Sequence, residues 1–339
     1  MTSQPLIPLS DATLPLFIGV DVGGTSIKVG VVDDRGATLG FTRVSTEPYQ
    51  PGEQAVARVG VALAAMLEDR EIDRTLIRGV GLGSPGTMDI PTGMLLEPPN
   101  LYAWHQFPIR DTMQSVLGLP VTFANDGAAA AYGEFWLGAG REDPSIVMLT
   151  LGTGVGGGII HRGRSIDGEH SHGSECGHVI IDSRPDARVC SCGQPGHLEA
   201  YASATAVVAR TREALQRGRS STLEHVTSEL TALDVAEAAA AGDALALEIV
   251  DETADYLAIG IVSVVHTIDP NMVILGGAMN FGGMASAVGR RFLARIQSQF
   301  RAKTFPTLAE RTKIDFAALG GDAGYLGAAG LARSAHKDP

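Results

Sequence analysis

All three cysteines of the chain, Cys176, Cys190 and Cys192, fall within residues 175–199, together with His178 and His197. Thiolates and imidazoles are the ligands that tetrahedral zinc selects. Cys190-Ser-Cys192 followed by Gly-Gln-Pro-Gly-His197 is a tight knuckle whose glycines let the chain turn about an ion. His178, upstream on a predicted strand, supplies a fourth ligand. The competing readings are surface thiols at Cys190 and Cys192, or a disulfide from Cys176 to one of them. A bridge between residues two apart has poor geometry, and an odd cysteine count argues against a disulfide framework. The spacing therefore favours one structural zinc on His178, Cys190, Cys192 and His197, although Cys-x-Cys is less specific than paired Cys-x-x-Cys motifs.

A second chemistry sits at two glycine-rich turns. The apolar run Leu16 to Val20 ends in Asp21-Val-Gly23-Gly24-Thr25, with Lys28 close behind on the strand Ile27 to Val32. Ser145 to Leu151 ends in Gly152-Thr153-Gly154-Val-Gly-Gly-Gly158, followed by the strand Ile159 to His161. Backbone N–H groups without side chains in the way can approach a polyphosphate closely, and the hydroxyls of Thr25 and Thr153 add donors. Asp21 can hold Mg²⁺ through water, because that ion keeps several waters and takes few carboxylates. Neither turn has the Lys-Ser/Thr ending of a P-loop, and neither is a Rossmann turn, since a strand rather than a helix follows. Each turn alone is equally a plain hairpin.

These residues need a frame. At 339 residues and 45% hydrophobic, the chain is long enough for two domains with substantial cores. A net charge of −12, from 26 basic and 38 acidic residues without a basic run, argues against nucleic-acid or anionic-membrane partners. The first fifteen or so residues lack Lys, Arg and a long apolar core, so no signal peptide is expected and a cytoplasmic enzyme is. The longest apolar stretch, Tyr256 to Ile268, is too short and too polar to cross a bilayer and reads as a buried helix.

Strand, glycine turn and strand occur twice, which implies a duplicated α/β architecture whose turns face each other across a cleft. Helical spacing then dominates over Ala204 to Arg217, Thr231 to Ala241 and Ala244 to Thr267, the last with Asp243 as its cap. Val273 to Leu275 reads as a strand ending in Gly276-Gly277, and Gly321 to Ala335 as a closing helix. Val121 to Ala124 is a further strand, and Asp126 stands at its carboxyl end before a helix from Gly127. An acid there is where α/β folds place active sites, and it is equally a helix N-cap.

The ordered set Asp21-Val-Gly-Gly-Thr25, Gly83-Ser-Pro-Gly86, Pro99-Asn100-Leu, Asn125-Asp126, Leu151-Gly-Thr-Gly154, Glu175-Cys-Gly-His178, Cys190-Ser-Cys192 through Glu199 and Leu275-Gly-Gly277 resembles the ROK family (repressor, open reading frame, kinase), bacterial relatives of hexokinase and actin. The resemblance runs from about Leu16 to Ala332. It implies an α/β, two-domain actin-like ATPase (ribonuclease H-like) fold with a cleft between domains. Residues 15–123 with 322–339 would form a small domain, and 124–321 a large one carrying the knuckle.

The activity it implies is ATP-dependent transfer of the γ-phosphate to a hexose 6-hydroxyl. Asp126 matches the family's catalytic base. Gly86, Asn100, Asn125, Glu175, His178 and Glu199 match sugar-binding positions, and Asp21, Gly23, Gly24, Thr25, Lys28, Gly152, Thr153, Gly154, Gly276 and Gly277 the nucleotide site. His178 would bind zinc through one ring nitrogen and a sugar hydroxyl through the other. Two positions depart from the family pattern: His197 replaces a third knuckle cysteine, and Ser174 replaces a glycine in a loop, with His170 and His172, that borders the sugar's 1- and 2-substituents in relatives.

Glucose is the expected substrate, because Glu175, His178 and Glu199 are the set that glucose-using relatives carry. The alternatives are an N-acylhexosamine kinase, for N-acetylglucosamine or N-acetylmannosamine, and a sugar-responsive regulator of the same family. Regulators carry a winged-helix domain ahead of the kinase-like part, and only about fifteen residues precede the first strand. The expected partners are ATP with Mg²⁺, or polyphosphate as donor, and a hexose, within a homodimer or homotetramer.

Overall fold

The computed structural model describes residues 4–226 and 228–337. Among them the strands, in chain order, are β1 (Leu16–Val22), β2 (Ser26–Val32), β3 (Thr38–Ser45), β4 (Ile77–Ser84), β5 (Thr87–Asp89), β6 (Met94–Glu97), β7 (Val121–Asn125), β8 (Ser145–Leu151), β9 (Val155–His161), β10 (Arg164–Ser165), β11 (Met272–Gly276) and β12 (Lys313–Phe316). The helices are α1 (Gly52–Asp69), α2 (Ile109–Leu117), α3 (Asp126–Trp136), α4 (Glu199–Ala202), α5 (Ala204–Gln216), α6 (Ala232–Ala240), α7 (Ala244–Ile268), α8 (Ala287–Lys303), α9 (Pro306–Arg311) and α10 (Ala323–Lys337). No helix among the described residues is long and apolar enough to cross a membrane.

The chain divides into two compact units. The first comprises Met1–Glu142, Gly158–Ser174 and Ala318–Pro339, and the second Asp143–Gly157 and Glu175–Ala317. In the first unit a sheet runs β3-β2-β1-β4-β7, with β2 antiparallel to β1 and β3, and β4 parallel to both β1 and β7. The period-2 alternation of a strand divides β1 between two cores. Leu16, Ile18 and Val20 pack with Val56, Val59 and Leu63 of α1, while Phe17 packs with Tyr325, Leu326 and Ala329 of α10.

Helix α10 lies directly on the sheet because the sheet offers it no side chains there. A Cβ at Gly19 of β1 would stand 1.8 Å from the Tyr325 carbonyl oxygen, and one at Gly81 of β4 would stand 1.7 Å from that of Ala328. The C-terminal helix is thereby held against the strands that end at Asp21 and Ser84.

In the second unit β11 is parallel to both β8 and β12. Helix α7 buries Leu245, Ile249, Leu257, Ile261, Val264 and Val265, among others, on one stripe, which is the face that the helical spacing predicts. Its first turn is capped as expected, with Asp243 accepting the Ala246 N–H at 2.9 Å.

Two expectations need correcting. His178 is not on a strand: Cys176–His178 is a single 3-10 turn, closed by the His178 N–H donating to the Glu175 carbonyl at 3.0 Å. Gly177 sets that geometry, since a Cβ there would stand 1.8 Å from the Val155 carbonyl oxygen. The second glycine turn is also shorter than its composition suggests. Strand β9 already begins at Val155, and Gly158 serves close packing, because its Cβ would meet Ala131 at 2.4 Å and the Gly127 carbonyl at 2.6 Å.

Candidate active site and metal centre

In the first unit, register brings the chemistry to one edge. Asp21 on β1 pairs with Gly83 on β4, and Gly83 and Ser84 pair with Ala124 and Asn125 on β7. All three strands run parallel, so Asp21, Ser84, Asn125 and Asp126 stand at their carboxyl ends, where α/β sheets expose reactive groups. A Cβ at Gly83 would lie 3.8 Å from the Asp126 Cα.

Asn125 is the N-cap of α3. Its Oδ1 accepts the N–H groups of Gly127 at 2.8 Å and Ala128 at 3.4 Å. The cap role that local sequence left open for Asp126 therefore belongs to its neighbour, and Asp126 is the first helical residue. Its Oδ1 accepts the Gly127 N–H at 2.8 Å.

Asp21 is fixed from two sides. Lys28, its register partner on β2, donates from Nζ to Asp21 Oδ2 at 3.0 Å and to the Gly321 carbonyl at 2.7 Å. On the other side a Cβ at Gly324 would stand 2.5 Å from Asp21 Oδ2, so the carboxylate rests against the first turn of α10. The Gly23–Ser26 turn closes by the Gly23 N–H donating to the Ser26 carbonyl at 3.1 Å. Buried Thr46 braces it, donating from Oγ1 to the Gly23 carbonyl at 2.6 Å and from N–H to the Thr25 carbonyl at 3.1 Å.

Gly86, at φ 97°, lets Pro98 approach to within 2.4 Å of where a Cβ would be. Two residues on, Asn100 adopts a left-handed φ of 66°, and its Cβ lies 3.7 Å from a Cβ built on Gly24. Gly86, Asn100 and the first glycine turn are thus neighbours.

In the second unit the Gly152 N–H donates to the Gly154 carbonyl at 3.0 Å, and the Gly152 carbonyl accepts the Ala204 N–H of α5 at 2.9 Å. Gly276 pairs with Thr150 on β8. Gly277 at φ 89° brings its backbone so close that a Cβ would stand 2.1 Å from the Leu151 carbonyl oxygen. Both glycine pairs therefore border the carboxyl ends of β8 and β11.

Glu199 ties this turn to the knuckle. Its Oε2 accepts the Val155 N–H at 2.9 Å, while Oε1 accepts Ser191 Oγ–H at 2.6 Å and lies 3.4 Å from Cys190 Sγ. Burial raises its pKa, but the hydrogen bonds from Ser191, Val155 and Cys190 outweigh that and keep it below the usual glutamate range.

His178, Cys190, Cys192 and His197 converge, with their candidate ligand atoms all within 4.8 Å of one another. The two Nδ1 atoms are 3.2 Å apart, Cys192 Sγ is 3.3 Å from His197 Nδ1, and Cys190 Sγ is 3.8 Å from His178 Nδ1. Ligands at about 2.0 Å for nitrogen and 2.3 Å for sulfur subtend tetrahedral edges of roughly 3.3 to 3.8 Å, so the set fits one four-coordinate ion. With Nδ1 directed into the cluster, His178 Nε2 lies 3.8 Å from Glu175 Oε2. All three cysteines are free thiols. Cys176 stands outside the cluster, its thiol pushed up to about 12 by burial and the neighbouring Glu175 charge.

A family model described as the ROK family matches residues 17–335. The chain belongs to the ROK family. The glucokinase of Halalkalibacterium halodurans is 33% identical over 320 residues, 94% of this chain and 94% of that protein. Among solved structures, the ROK hexokinase from Thermus thermophilus is 30% identical with a TM-score of 0.82, covering 96% of this chain and 100% of that one. A ROK family glucokinase from Streptomyces griseus, solved in complex with glucose and AMPPNP, is 33% identical with a TM-score of 0.73, covering 94% and 99%. This ROK-family chain is a glucokinase-like sugar kinase with the two-domain actin-like ATPase fold.

The two departures from the family pattern have different characters. His197 enters the cluster directly, so the knuckle is a Cys2His2 set. Ser174 occupies a left-handed φ of 67°, the conformation for which glycine is the default. It offsets that strain by donating from Oγ to the Ile166 carbonyl at 2.8 Å and accepting the Ile159 N–H at 3.2 Å. Its side chain is engaged with the backbone of its own loop.

Sequence reasoning missed four positioning residues. Thr46 braces the first turn, and Gly321 with Gly324 brings α10 to Asp21. Glu134 is fully buried on α3 and accepts the N–H groups of Ala139 at 2.8 Å, Ala318 at 3.1 Å and Leu319 at 2.7 Å, which fixes the chain entering α10. For Glu134 the available signal was an acid directly after the apolar run Gly127-Ala-Ala-Ala-Ala-Tyr-Gly.

Proposed function

We propose that this protein is an ATP-dependent hexokinase that transfers the γ-phosphate to the 6-hydroxyl of glucose, with Asp126 as general base. The observation that carries the reading is the alignment of Asp21, Asn125 and Asp126 at the carboxyl ends of parallel strands in one unit, with the cap function assigned to Asn125. Phosphoryl transfer is mainly positioning and charge neutralisation, so one carboxylate for the hydroxyl proton and one for the metal side of the nucleotide suffice. Asp126 takes the 6-hydroxyl proton as that oxygen bonds to the γ-phosphorus. The bond from phosphorus to the bridging oxygen breaks, and ADP leaves.

Asp21, oriented by Lys28, is the residue for the waters of Mg²⁺, which arrives with ATP and neutralises phosphate charge. Gly23 to Thr25 in the first unit, and Gly152 to Gly154 with Gly276 and Gly277 in the second, are the candidate nucleotide-binding turns. Asn100, Asn125, Glu175, His178 and Glu199 supply the mixed donors and acceptors that a pyranose requires. Zinc on His178, Cys190, Cys192 and His197 is structural: it fixes the His178 tautomer so that Nε2 faces the sugar beside Glu175. The glucokinase relative and the Streptomyces griseus glucokinase solved with glucose support this substrate over an N-acylhexosamine. A coupled assay with ATP against glucose, N-acetylglucosamine and N-acetylmannosamine tests it; a higher kcat/KM for either acetylated sugar overturns the substrate, and no turnover with any hexose overturns the activity.

A further inference from the structure

Glu199 is held at both carboxylate oxygens, by partners from two different loops of the second unit. Oε2 accepts the Val155 N–H at 2.9 Å, and Oε1 accepts Ser191 Oγ–H at 2.6 Å. The backbone beneath the side chain is already fixed. Leu198 is wholly buried against α7, where a Cβ on Gly260 would stand 2.5 Å from Leu198 Cδ2, and its N–H donates to the Val179 carbonyl at 3.0 Å. What remains to be ordered is a long glutamate side chain, among the most costly to immobilise.

The last torsion of a glutamate is broad, so one donor leaves the carboxylate plane able to turn, and a second donor on the other oxygen fixes it. That plane is tightly placed here, because a Cβ at Gly154 would stand 2.2 Å from Glu199 Oε2. An ionised carboxylate offers about four acceptor positions, so a bond to each oxygen still leaves positions for the hydroxyls of a ligand. Cys190 Sγ also lies 3.4 Å from Oε1, but a metal-bound cysteine is a thiolate and donates nothing. Ser191, standing between the knuckle ligands Cys190 and Cys192, is the side-chain donor that serves this oxygen in the loaded knuckle.

We propose that Ser191 is a positioning residue for Glu199. Its hydroxyl sets the carboxylate plane that meets the sugar and keeps the other oxygen on the Val155 N–H beside the glycine turn. The part concerning the sugar rests on the hexokinase reading, and the part concerning the turn does not.

Ser191 is exposed, so Ser191→Ala is expected to keep the melting temperature and metal content of the wild type. Two measurements on the full chain decide: residue-resolved amide exchange at Val155 without ligand, and calorimetric titration with glucose. In Ser191→Ala, exchange at Val155 should be about tenfold faster and glucose binding about tenfold weaker, the scale of one charge-assisted hydrogen bond. Because Ser191 acts through binding, KM for glucose should rise while kcat changes by less than about threefold. Ser191→Thr, which keeps the hydroxyl, should restore both readouts, and adding Ser191→Ala to Glu199→Ala should change neither further. Unchanged Val155 exchange in Ser191→Ala overturns the proposal, and faster exchange with unchanged glucose affinity overturns its sugar part. Loss of metal or a lower melting temperature assigns Ser191 to the knuckle instead and also overturns it. Wild-type protein that binds no glucose overturns the hexokinase reading, and Val155 exchange then still decides whether Ser191 orients Glu199.

Discussion

Asn125 Oδ1 accepts the Gly127 N–H at 2.8 Å, and this one bond separates the duties of two adjacent residues. Because Asn125 caps α3, removing the Asp126 carboxylate does not uncap the helix. Asp126→Ala is expected to lower kcat by about 10² to 10⁴, the usual contribution of a general base, while the melting temperature stays within a degree or two. Asn125→Ala is expected to cost about 1 kcal/mol of stability through loss of the cap and, as a sugar contact, to raise KM for glucose. Single-turnover rates and thermal melts on both variants make the comparison, and a stable Asp126→Ala enzyme with normal turnover rules out the base.

Lys28 offers a second test, because its ammonium is held by Asp21 and the Gly321 carbonyl and so acts through Asp21. Lys28→Met removes both contacts while preserving most of the side-chain volume. The expected result is a rise in KM for Mg-ATP of about tenfold, on the scale of one charge-assisted hydrogen bond, with the dissociation constant for glucose unchanged. Equal effects on nucleotide and glucose would mean that Lys28 supports the unit as a whole.

The metal centre is tested by removal. Structural zinc sites gain about 10 kcal/mol or more on binding, so stripping the ion with a chelator should lower the melting temperature and raise KM for glucose through loss of the His178 orientation. Cys190→Ser should reproduce both changes. Metal analysis that finds active protein without zinc removes the ion from the account, and a Cys190→Ser enzyme with wild-type glucose affinity removes its link to the sugar.

Glu134 carries the stability prediction. Its buried carboxylate accepts three backbone N–H groups, two of them at the entry to α10. Glu134→Ala leaves all three donors buried without it, at a cost of about 1 to 3 kcal/mol each where no water replaces it. A loss of at least about 3 kcal/mol in denaturant unfolding is expected, together with weaker nucleotide binding as the Gly321 carbonyl and Gly324 shift away from Asp21.

The contrast between Cys190 and Glu134 shows where the sequence was legible. The knuckle is local: three of its four ligands lie within eight residues, so spacing pointed to Cys190, Cys192 and His197 together, and His178, expected as the fourth ligand, joins them in the same cluster. Strands such as Ser145–Leu151 and the long helix from Ala244 were likewise written in uninterrupted apolar runs and helical stripes. Glu134 meets its partners 184 and 185 residues away, and Lys28 meets Gly321 across 293, separations that leave no trace in a local pattern. Composition misled in one place for a related reason. Gly156 to Gly158 read as a turn, yet Gly158 lies in a strand because a helix packs too closely to admit a Cβ.

Ser174 gives the last prediction. The family resemblance leads one to expect its loop beside the sugar's 2-substituent, which makes Ser174, with His172, a residue to suspect of altering substrate choice, and the structure engages its side chain with the loop's own backbone. Its left-handed backbone costs about 1 kcal/mol, and its two hydrogen bonds to Ile166 and Ile159 return about 0.5 to 1.5 kcal/mol each. Ser174→Gly relieves the first and forfeits the second, so stability should change by no more than about 1 to 2 kcal/mol. Because the side chain is occupied by its own loop, the ratio of kcat/KM for glucose to that for N-acetylglucosamine should stay within about threefold of wild type. A shift of the ratio by tenfold or more, about 1.4 kcal/mol of discrimination, would show that Ser174 shapes the pocket after all.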